Sequence, residues 1–390
     1  MLTEYFHNSH KDTKHYPNEL CSVLNLDNTA VAFEEIKTWN GYSETPLHSL
    51  DVIAENIGVK SIYYKDESSR FGLGSFKALG GTYGVLKFIH HALQKEINTE
   101  ISIQDIHQGK YSKQISKYTV TTATDGNHGR SVAFGAKLFG CKCQIYIHSE
   151  VSSGRQKAME DLEAIVTRVS GNYDESLKIC IDDAEKNDWH LISDTSYEGY
   201  TKYPRYIMAG YNVMAEEIVN QLNNLPLPTH IFLQGGVGSF PGAICGYFWE
   251  KFPHNNIKFI VVESEHAPCL IRSAQNNQMT SVNIKKETMM AGLSCGEPSL
   301  LGWKILSKGV DDFITISDAS IPKSMRLLAK NKPSIEAGES SVAGLEGLMQ
   351  TMNNKAVAKK ISLNSNSIVL LFGTEGATDP EIYDAIINTT

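Results

Sequence analysis

The 390-residue chain has few cysteines, no long apolar run and no excess of basic charge. Its seven cysteines are irregularly spaced, and no second cluster accompanies Cys141 and Cys143, so we expect free thiols and no metal site. Without about 18 consecutive apolar residues, or the basic and apolar regions of a signal peptide, the chain is expected to bind no membrane and to be cytoplasmic. Its net charge of -8 argues against general nucleic-acid binding, which requires a basic face.

What the sequence does contain is a regular alternation of short apolar runs and helical stretches. The runs rich in Val, Ile and Tyr predict strands at Ile62–Lys65, Tyr118–Thr122, Cys143–Ile147, Ile165–Val169, His230–Leu233, Ile257–Glu263 and Ser367–Phe372. The stretches between them predict helices at Phe76–Leu93, Gly129–Phe139, Gly154–Glu163, Tyr173–Asn187, Arg205–Leu222 and Ser239–Lys251. This alternation predicts an α/β fold with mostly parallel sheets flanked by crossover helices.

The domain organisation follows less directly from the sequence. No Pro- or Gly-rich linker interrupts the pattern, so we predict two interleaved domains. The large domain comprises residues 1–84 and 196–390, and the small domain comprises residues 85–195. The polar residues 1–30 are expected to form a loose N-terminal extension.

Lys77 follows a glycine- and serine-rich loop that joins a predicted strand to a predicted helix, within Lys65–Gly81. Ser75 is a suitable helix cap, which places Lys77 in the first helical turn. There the helix dipole and burial would both lower the pKa of the lysine, and a neutral amine is what Schiff-base formation with an aldehyde requires. Most helical lysines are solvated, so this loop alone does not establish a catalytic role.

A second loop, Thr122–Arg130, also lies between a strand and a helix. Asn127 can donate a hydrogen bond to a phenolic oxygen, and the backbone N–H groups at the helix start can hold a carboxylate. Asp125 is suited to proton transfer if its pKa is raised, although helix capping explains it equally well. For His128, a packed or capping role competes with a chemical one.

A third loop, Gln234–Ser239, directs consecutive N–H groups toward one point at the start of a helix, which suits a phosphate monoester. It is not a nucleotide-binding P-loop, because no Gly-Lys-Ser/Thr follows. A dinucleotide-binding loop of an oxidoreductase is the competing interpretation, but Pro241 stands where its third glycine should be.

The fourth loop, Phe372–Gly376, follows the last predicted strand and offers a hydroxyl and a carboxylate to a ring nitrogen. A carboxylate would keep such a nitrogen protonated, whereas a threonine hydroxyl would leave it largely neutral and favour β-elimination.

In their order along the chain, these loops resemble those of fold-type II (tryptophan synthase β-like) enzymes that use pyridoxal 5′-phosphate (PLP). The similarity is closer to diaminopropionate ammonia-lyases than to serine or threonine dehydratases, which usually carry serine at the position of Asp125. The resembling segments are Lys65–Gly81, Thr122–Arg130, 192–200, 290–298, 338–341 and 374–380.

The resemblance implies a role for each candidate residue. Lys77 would bind PLP as a Schiff base and act as a base, Asp125 would be a second acid/base on the opposite face, and Asp194 would recognise the β-amino group of the substrate. Thr374 would face the ring nitrogen, and Asn127 the 3′-oxygen. The phosphate would be held by Gly235, Gly236, Val237, Gly238 and Ser239. The expected substrate contacts are Ser75, Thr124, Asp125, Gly126, His128 and Asp194.

The resemblance also implies the reaction. An amino acid, D- or L-2,3-diaminopropionate, would undergo α,β-elimination to aminoacrylate, which hydrolyses to pyruvate and ammonia. The alternative is a related eliminase that acts on serine, threonine or another β-substituted alanine. A homodimer is expected from the same resemblance.

Overall fold

The computed structural model describes residues 2–12, 15–124 and 126–389. The strands in this part of the chain are β1 (Leu2–His7), β2 (Leu47–Ser49), β3 (Ser61–Asp66), β4 (Thr119–Ala123), β5 (Lys142–Ile147), β6 (Ile165–Arg168), β7 (His190–Leu191), β8 (His230–Gln234), β9 (Lys258–Ser264), β10 (Asp312–Ile316) and β11 (Ile368–Gly373).

The helices complete an α/β architecture, as the sequence predicted. They are α1 (Asn18–Cys21), α2 (Leu26–Ile36), α3 (Asp51–Ile57), α4 (Lys77–Ile97), α5 (Ile103–His107), α6 (Ser112–Ile115), α7 (Asn127–Phe139), α8 (Ser153–Glu160), α9 (Tyr173–Asn187), α10 (Lys202–Tyr211), α11 (Val213–Leu222), α12 (Ser239–Lys251), α13 (Cys269–Asn276), α14 (Leu300–Gly309), α15 (Ile321–Ala329), α16 (Ala343–Asn353), α17 (Lys355–Lys360) and α18 (Pro380–Asn388).

The chain forms two compact units. Unit 1 comprises Met1–Phe76, Thr195–Glu198 and Tyr211–Thr390, and unit 2 comprises Lys77–Asp194 and Gly199–Gly210. The sequence predicted a large domain of residues 1–84 and 196–390 and a small domain of residues 85–195. These domain bounds differ from those of the two units, and the predicted assignment remains a prediction.

Unit 1 is built on a seven-stranded sheet in the order β1-β10-β9-β8-β11-β3-β2. The five central strands are parallel, and the edge strands β1 and β2 are antiparallel to their neighbours. Every residue of β8, β10 and β11 is buried, as is typical of the inner strands of a mostly parallel sheet. The carboxyl ends of β8 and β11 lead directly into the glycine-rich and C-terminal loops.

The N-terminal segment corrects one prediction. Residues 1–30 were expected to be a loose extension, but β1 pairs with β10 over Leu2–His7, and α1 and part of α2 follow. Asn8 then donates side-chain hydrogen bonds to the carbonyl oxygens of Ser307 and Val310, both at 2.9 Å. The polar character of this segment reflects its position at a sheet edge, where one side of the strand faces solvent.

Unit 2 contains a four-stranded parallel sheet in the order β6-β5-β4-β7. Helix α4 packs closely against α7, because Gly135 leaves room for Thr82 and Val85; a β-carbon at Gly135 would lie 3.0 Å from the Thr82 Cα atom. The predicted helix Arg205–Leu222 is two helices, α10 and α11, separated at Asn212. Helix α10 begins before Pro204, which lies in its first turn, where proline is tolerated.

The described ranges lack two kinds of feature. None of the helices combines the length and apolar character needed to cross a bilayer. No group of three or more His, Cys, Asp or Glu side chains is arranged to hold a metal ion among these residues. No disulfide bond joins any of the described cysteines.

Candidate active site

Lys77 is the first residue of α4, so its position in the first helical turn is as predicted. Its Nζ atom lies 2.6 Å from Oδ2 of Asp194, although 117 positions separate the two residues in the sequence. Both side chains are largely shielded from solvent. The sequence placed both residues in the site but did not predict this ion pair.

His128 completes the surroundings of Asp194 in unit 2. Its Nε2 atom donates to the carbonyl of Ile192 at 2.8 Å, because a carbonyl oxygen can only accept, and its Nδ1 atom lies 3.8 Å from Oδ2 of Asp194. Burial alone would raise the pKa of Asp194, but the charges of Lys77 and His128 outweigh it and hold that pKa well below its ordinary value. Asp194 is therefore a carboxylate whose ionised form is stabilised by a neighbouring cation.

The loop before α7 is organised by Thr124, which is buried. Its Oγ1 atom accepts hydrogen bonds from the N–H groups of Gly126 at 3.1 Å and Gly129 at 3.2 Å. Asn127 is the first residue of α7, and Gly126 directly precedes it. Asp125 lies outside the described residues, so its predicted role in proton transfer rests on the sequence alone.

The glycine-rich loop of unit 1 connects β8 to α12. Gly236 and Gly238 adopt positive φ angles of 55° and 96°, which glycine accommodates without strain. The N–H groups of Gly235 and Gly238 bond to backbone carbonyls, whereas those of Gly236 and Val237 have no backbone acceptor in the described part of the chain. Together with the N-terminus of the 13-residue helix α12, they form a nest suited to an anion.

Glu263 lies against Gly235 of this loop, and the sequence analysis did not identify it. It is buried, and its carboxylate accepts hydrogen bonds from the N–H groups of Leu270 at 2.8 Å and Ile271 at 2.7 Å. A β-carbon at Gly235 would lie 2.5 Å from Cγ of Glu263, so only glycine fits there. The feature of the sequence that could have identified Glu263 is its position as a carboxylate at the buried end of the predicted strand Ile257–Glu263.

The C-terminal loop, which begins at Thr374, is attached to the segment that precedes Lys77. The N–H of Phe76 donates to the carbonyl of Thr374 at 3.0 Å, and Ser75 forms an isolated antiparallel bridge with Glu375. Ser75 was predicted to cap the helix, but Phe76 is the residue that directly precedes α4. The hydroxyl of Thr374 is buried, 3.4 Å from the Ser341 hydroxyl.

The chemical groups that these residues offer match those that PLP requires. Unit 1 offers a phosphate nest made of backbone N–H groups and a neutral hydroxyl at Thr374, and unit 2 offers an amine at Lys77 and an amide at Asn127. These are the groups that a phosphorylated aldehyde with a pyridine ring needs.

Comparison with known proteins gives independent evidence. Residues 38–373 match the family model described as pyridoxal-phosphate dependent enzyme. The chain is 38% identical over 374 residues to diaminopropionate ammonia-lyase of Salmonella typhimurium, an alignment that covers 93% of this chain and 92% of that protein.

Solved structures agree with these sequence matches. The crystal structure of diaminopropionate ammonia-lyase from Escherichia coli in complex with an aminoacrylate-PLP azomethine reaction intermediate superposes with a TM-score of 0.88 at 33% identity, covering 100% of this chain and 97% of that one. The complex of the same enzyme with D-serine gives a TM-score of 0.88 at 33% identity, covering 99% and 96% of the two chains. These matches confirm the fold-type II prediction.

Proposed function

This chain belongs to the diaminopropionate ammonia-lyase family of pyridoxal-phosphate dependent enzymes, and on that premise we propose that it eliminates ammonia from 2,3-diaminopropionate. One substrate molecule and one water give pyruvate and two molecules of ammonia. The first ammonia leaves the β-carbon, and the second is released when aminoacrylate hydrolyses. The observation that carries the proposal is the Asp194 carboxylate, which lies within hydrogen-bonding distance of an amine and has a lowered pKa.

We assign the cofactor contacts from the donors described above. When bound, PLP withdraws electrons from the α-carbon of the substrate and so makes the α-proton acidic. Lys77 is assigned to its aldehyde carbon and Asn127 to its 3′-oxygen. The nest of Gly236, Val237 and neighbouring N–H groups is assigned to its phosphate, and the Thr374 hydroxyl to its ring nitrogen.

The remaining assignments concern protons and the substrate. The amine of Lys77 accepts the α-proton from one face, and the carboxylate of Asp125 accepts it from the other, so that both isomers can react. Asp194 binds the β-ammonium group, which a hydroxy-amino acid lacks. Also assigned to the substrate, from the family resemblance, are the N–H groups at the start of α7 and the residues Ser75, Thr124, Gly126 and His128.

The competing substrate class is the β-hydroxy amino acids, and the comparisons do not favour it. The discriminating experiment measures pyruvate and ammonia from D- and L-2,3-diaminopropionate and from D- and L-serine at equal concentration. We expect two ammonia per pyruvate and a higher kcat/KM with diaminopropionate. Faster turnover of serine would sink the substrate assignment without affecting the cofactor assignment.

The attachment of PLP is tested with a matched pair of lysines on α4. After borohydride reduction and digestion, mass spectrometry should find the pyridoxyl group on the peptide that contains Lys77. Lys77→Ala should lose both the label and activity, while Lys87→Ala, ten positions along the same helix, should keep both. A label retained by Lys77→Ala would refute the assignment.

The two-base assignment is tested with Asp125→Asn. This variant should retain bound PLP and lose activity unequally, by about 10²-fold or more for one isomer and much less for the other. An equal loss with both isomers would refute a second base.

We also propose that the enzyme is a cytoplasmic homodimer. Seven cysteines without a disulfide bond suit a reducing compartment, and the dimer follows from the family resemblance. Light scattering of the purified holoenzyme should give twice the 43.2 kDa chain mass.

A further inference from the structure

The residues Gly338–Ser341, called the bridging segment here, lie in unit 1 and have no role in the proposal above. Ser341 is almost completely buried, and its hydroxyl touches both backbone groups of Glu375: it accepts from the N–H at 2.5 Å and donates to the carbonyl at 2.5 Å. The N–H of Gly338 donates to the same carbonyl at 3.0 Å. The bridging segment therefore fixes the peptide that follows Thr374.

The same serine is connected to the base of the glycine-rich loop. Gln234, the last residue of β8, donates through Nε2 to the carbonyl of Ser341 at 3.3 Å and to the carbonyl of Phe372 at 2.6 Å. Gly235 follows Gln234 directly, so this amide joins the strand that begins the phosphate nest to the strand that precedes Thr374.

Ser340 makes a separate connection toward the phosphate nest. Its hydroxyl accepts from the N–H of Gly292 at 3.2 Å, and a β-carbon at Gly236 would lie 3.3 Å from the carbonyl of Gly292. The N–H of Ser340 also donates to Oε1 of Glu375 at 3.3 Å. Gly292 therefore accounts for the connection between Ser340 and Gly236, since it bonds to the first and packs against the second.

We propose that Ser340 and Ser341 are positioning residues that hold the two cofactor-binding loops of unit 1 at a fixed separation. Ser341 sets the orientation of the Thr374 hydroxyl at the ring-nitrogen end, and Ser340 sets the position of Gly236 at the phosphate end. This inference rests on the proposed function, because the separation matters only if one ligand engages both loops.

The physical reason is that both serines act on buried backbone. Removing the Ser341 hydroxyl leaves the N–H of Glu375 without its buried acceptor, so the loop must shift to find another. The Thr374 hydroxyl, 3.4 Å away, then loses its neighbour. Removing the Ser340 hydroxyl frees Gly292, and with it the backbone against which Gly236 packs.

The experiment separates the two ends of the cofactor by two spectroscopic measurements on the holoenzyme. The pH titration of the visible absorbance of bound PLP reports the ring, and its ³¹P resonance reports the phosphate. Ser341→Ala should shift the absorbance titration and leave the ³¹P resonance in place. Ser340→Ala should move the ³¹P resonance and weaken PLP binding by tenfold or more, with the absorbance titration unchanged.

Two further variants serve as controls. Ser324→Ala removes another buried hydroxyl of unit 1, one that bonds to Glu346, and should move neither signal. Ser341→Cys retains a weak donor of similar size, and should give an intermediate titration even if Ser341→Ala does not fold.

The outcomes are distinguishable. If Ser340→Ala and Ser341→Ala match Ser324→Ala, or if each moves both signals together, the positioning roles are wrong. If the unsubstituted protein incubated with PLP shows neither signal, the proposed function itself fails.

Discussion

Nζ of Lys77 and Oδ2 of Asp194 lie 2.6 Å apart within unit 2, in surroundings that hold the pKa of Asp194 well below its ordinary value. Burial opposes this lowering, and the charge of Lys77 is its largest cause, so a cation at this position favours the ionised carboxylate. A free lysine ammonium and a substrate β-ammonium have the same charge and the same donors, so this geometry supports the assignment of Asp194 to the substrate.

Replacing Asp194 should alter substrate preference. Asp194→Asn removes the charge that would pair with a β-ammonium, and losing one partner of a buried ion pair costs about 3–5 kcal/mol. We expect kcat/KM for 2,3-diaminopropionate to fall by about 10²–10⁴-fold, with a much smaller change for serine. Steady-state kinetics with both substrates measure this. Asp182→Asn, an exposed carboxylate of unit 2, is the control, and equal losses for the two substrates would contradict the assignment.

The stability of unit 1 should depend on pH through Glu263. Burial raises the pKa of Glu263 to about 8, although the N–H groups of Leu270 and Ile271 partly oppose this. Because the folded pKa exceeds the unfolded value of about 4.3, its contribution to stability is complete below about pH 4 and is lost as the pH rises through about 8.

Glu263→Gln is permanently neutral and should lack this dependence. Between pH 5 and 8.5, the unfolding free energy of the wild-type protein should therefore fall relative to that of Glu263→Gln, by up to about 4 kcal/mol. Urea unfolding at several pH values measures the difference. Glu265→Gln should behave like the wild-type protein. Parallel stability curves for Glu263→Gln and the wild-type protein would exclude this titration.

The buried charges of unit 1 near the end of β3 form a network whose members should depend on one another for stability. Lys65 and Arg70 pair with Glu217, and Arg70 pairs also with Glu67, all with almost no exposure. Glu217→Leu leaves two cations with one carboxylate and should cost about 3–5 kcal/mol. Lys65→Met combined with Glu217→Leu restores the charge balance, and should be less destabilised than Glu217→Leu alone.

Chemical denaturation of the single and double variants of this network measures the coupling. Asp161→Asn breaks an exposed pair with Lys157 and should be far less destabilising than Glu217→Leu. If the double variant were less stable than Glu217→Leu, charge imbalance would not be the cause of the loss.

Gly238→Ala should separate crowding from backbone strain. Both Gly238 and Gly140 have positive φ, at 96° and 84°, and alanine at either should cost about 1 kcal/mol. At Gly238 the new methyl group would also lie 3.1 Å from Leu270 and Leu306, whereas Gly140 has open space. We therefore expect Gly238→Ala to weaken PLP binding by tenfold or more and Gly140→Ala to leave it unchanged. Fluorescence titration with PLP tests this, and equal affinities would contradict it.

Local signals explain which elements could be predicted. Helices α9 and α12 have the predicted bounds, because Asn172 and Glu175 form a capping box at one and a glycine loop precedes the other. Strand β7 has only two residues and no local pattern. Strand β1 is polar and is defined by its partner β10, which lies some 300 residues away in the sequence.

The sequence by itself determined the α/β alternation, the loops that end the buried strands and the placement of Lys77 in a first helical turn. Each of these depends on neighbouring residues, through propensity, capping and apolar periodicity. The tertiary structure alone decided that Asp194 pairs with Lys77, that Glu263 supports Gly235 and that Ser341 fixes the peptide of Glu375. Those contacts join residues far apart in the chain or depend on burial. A local sequence pattern predicts neither long-range packing nor desolvation.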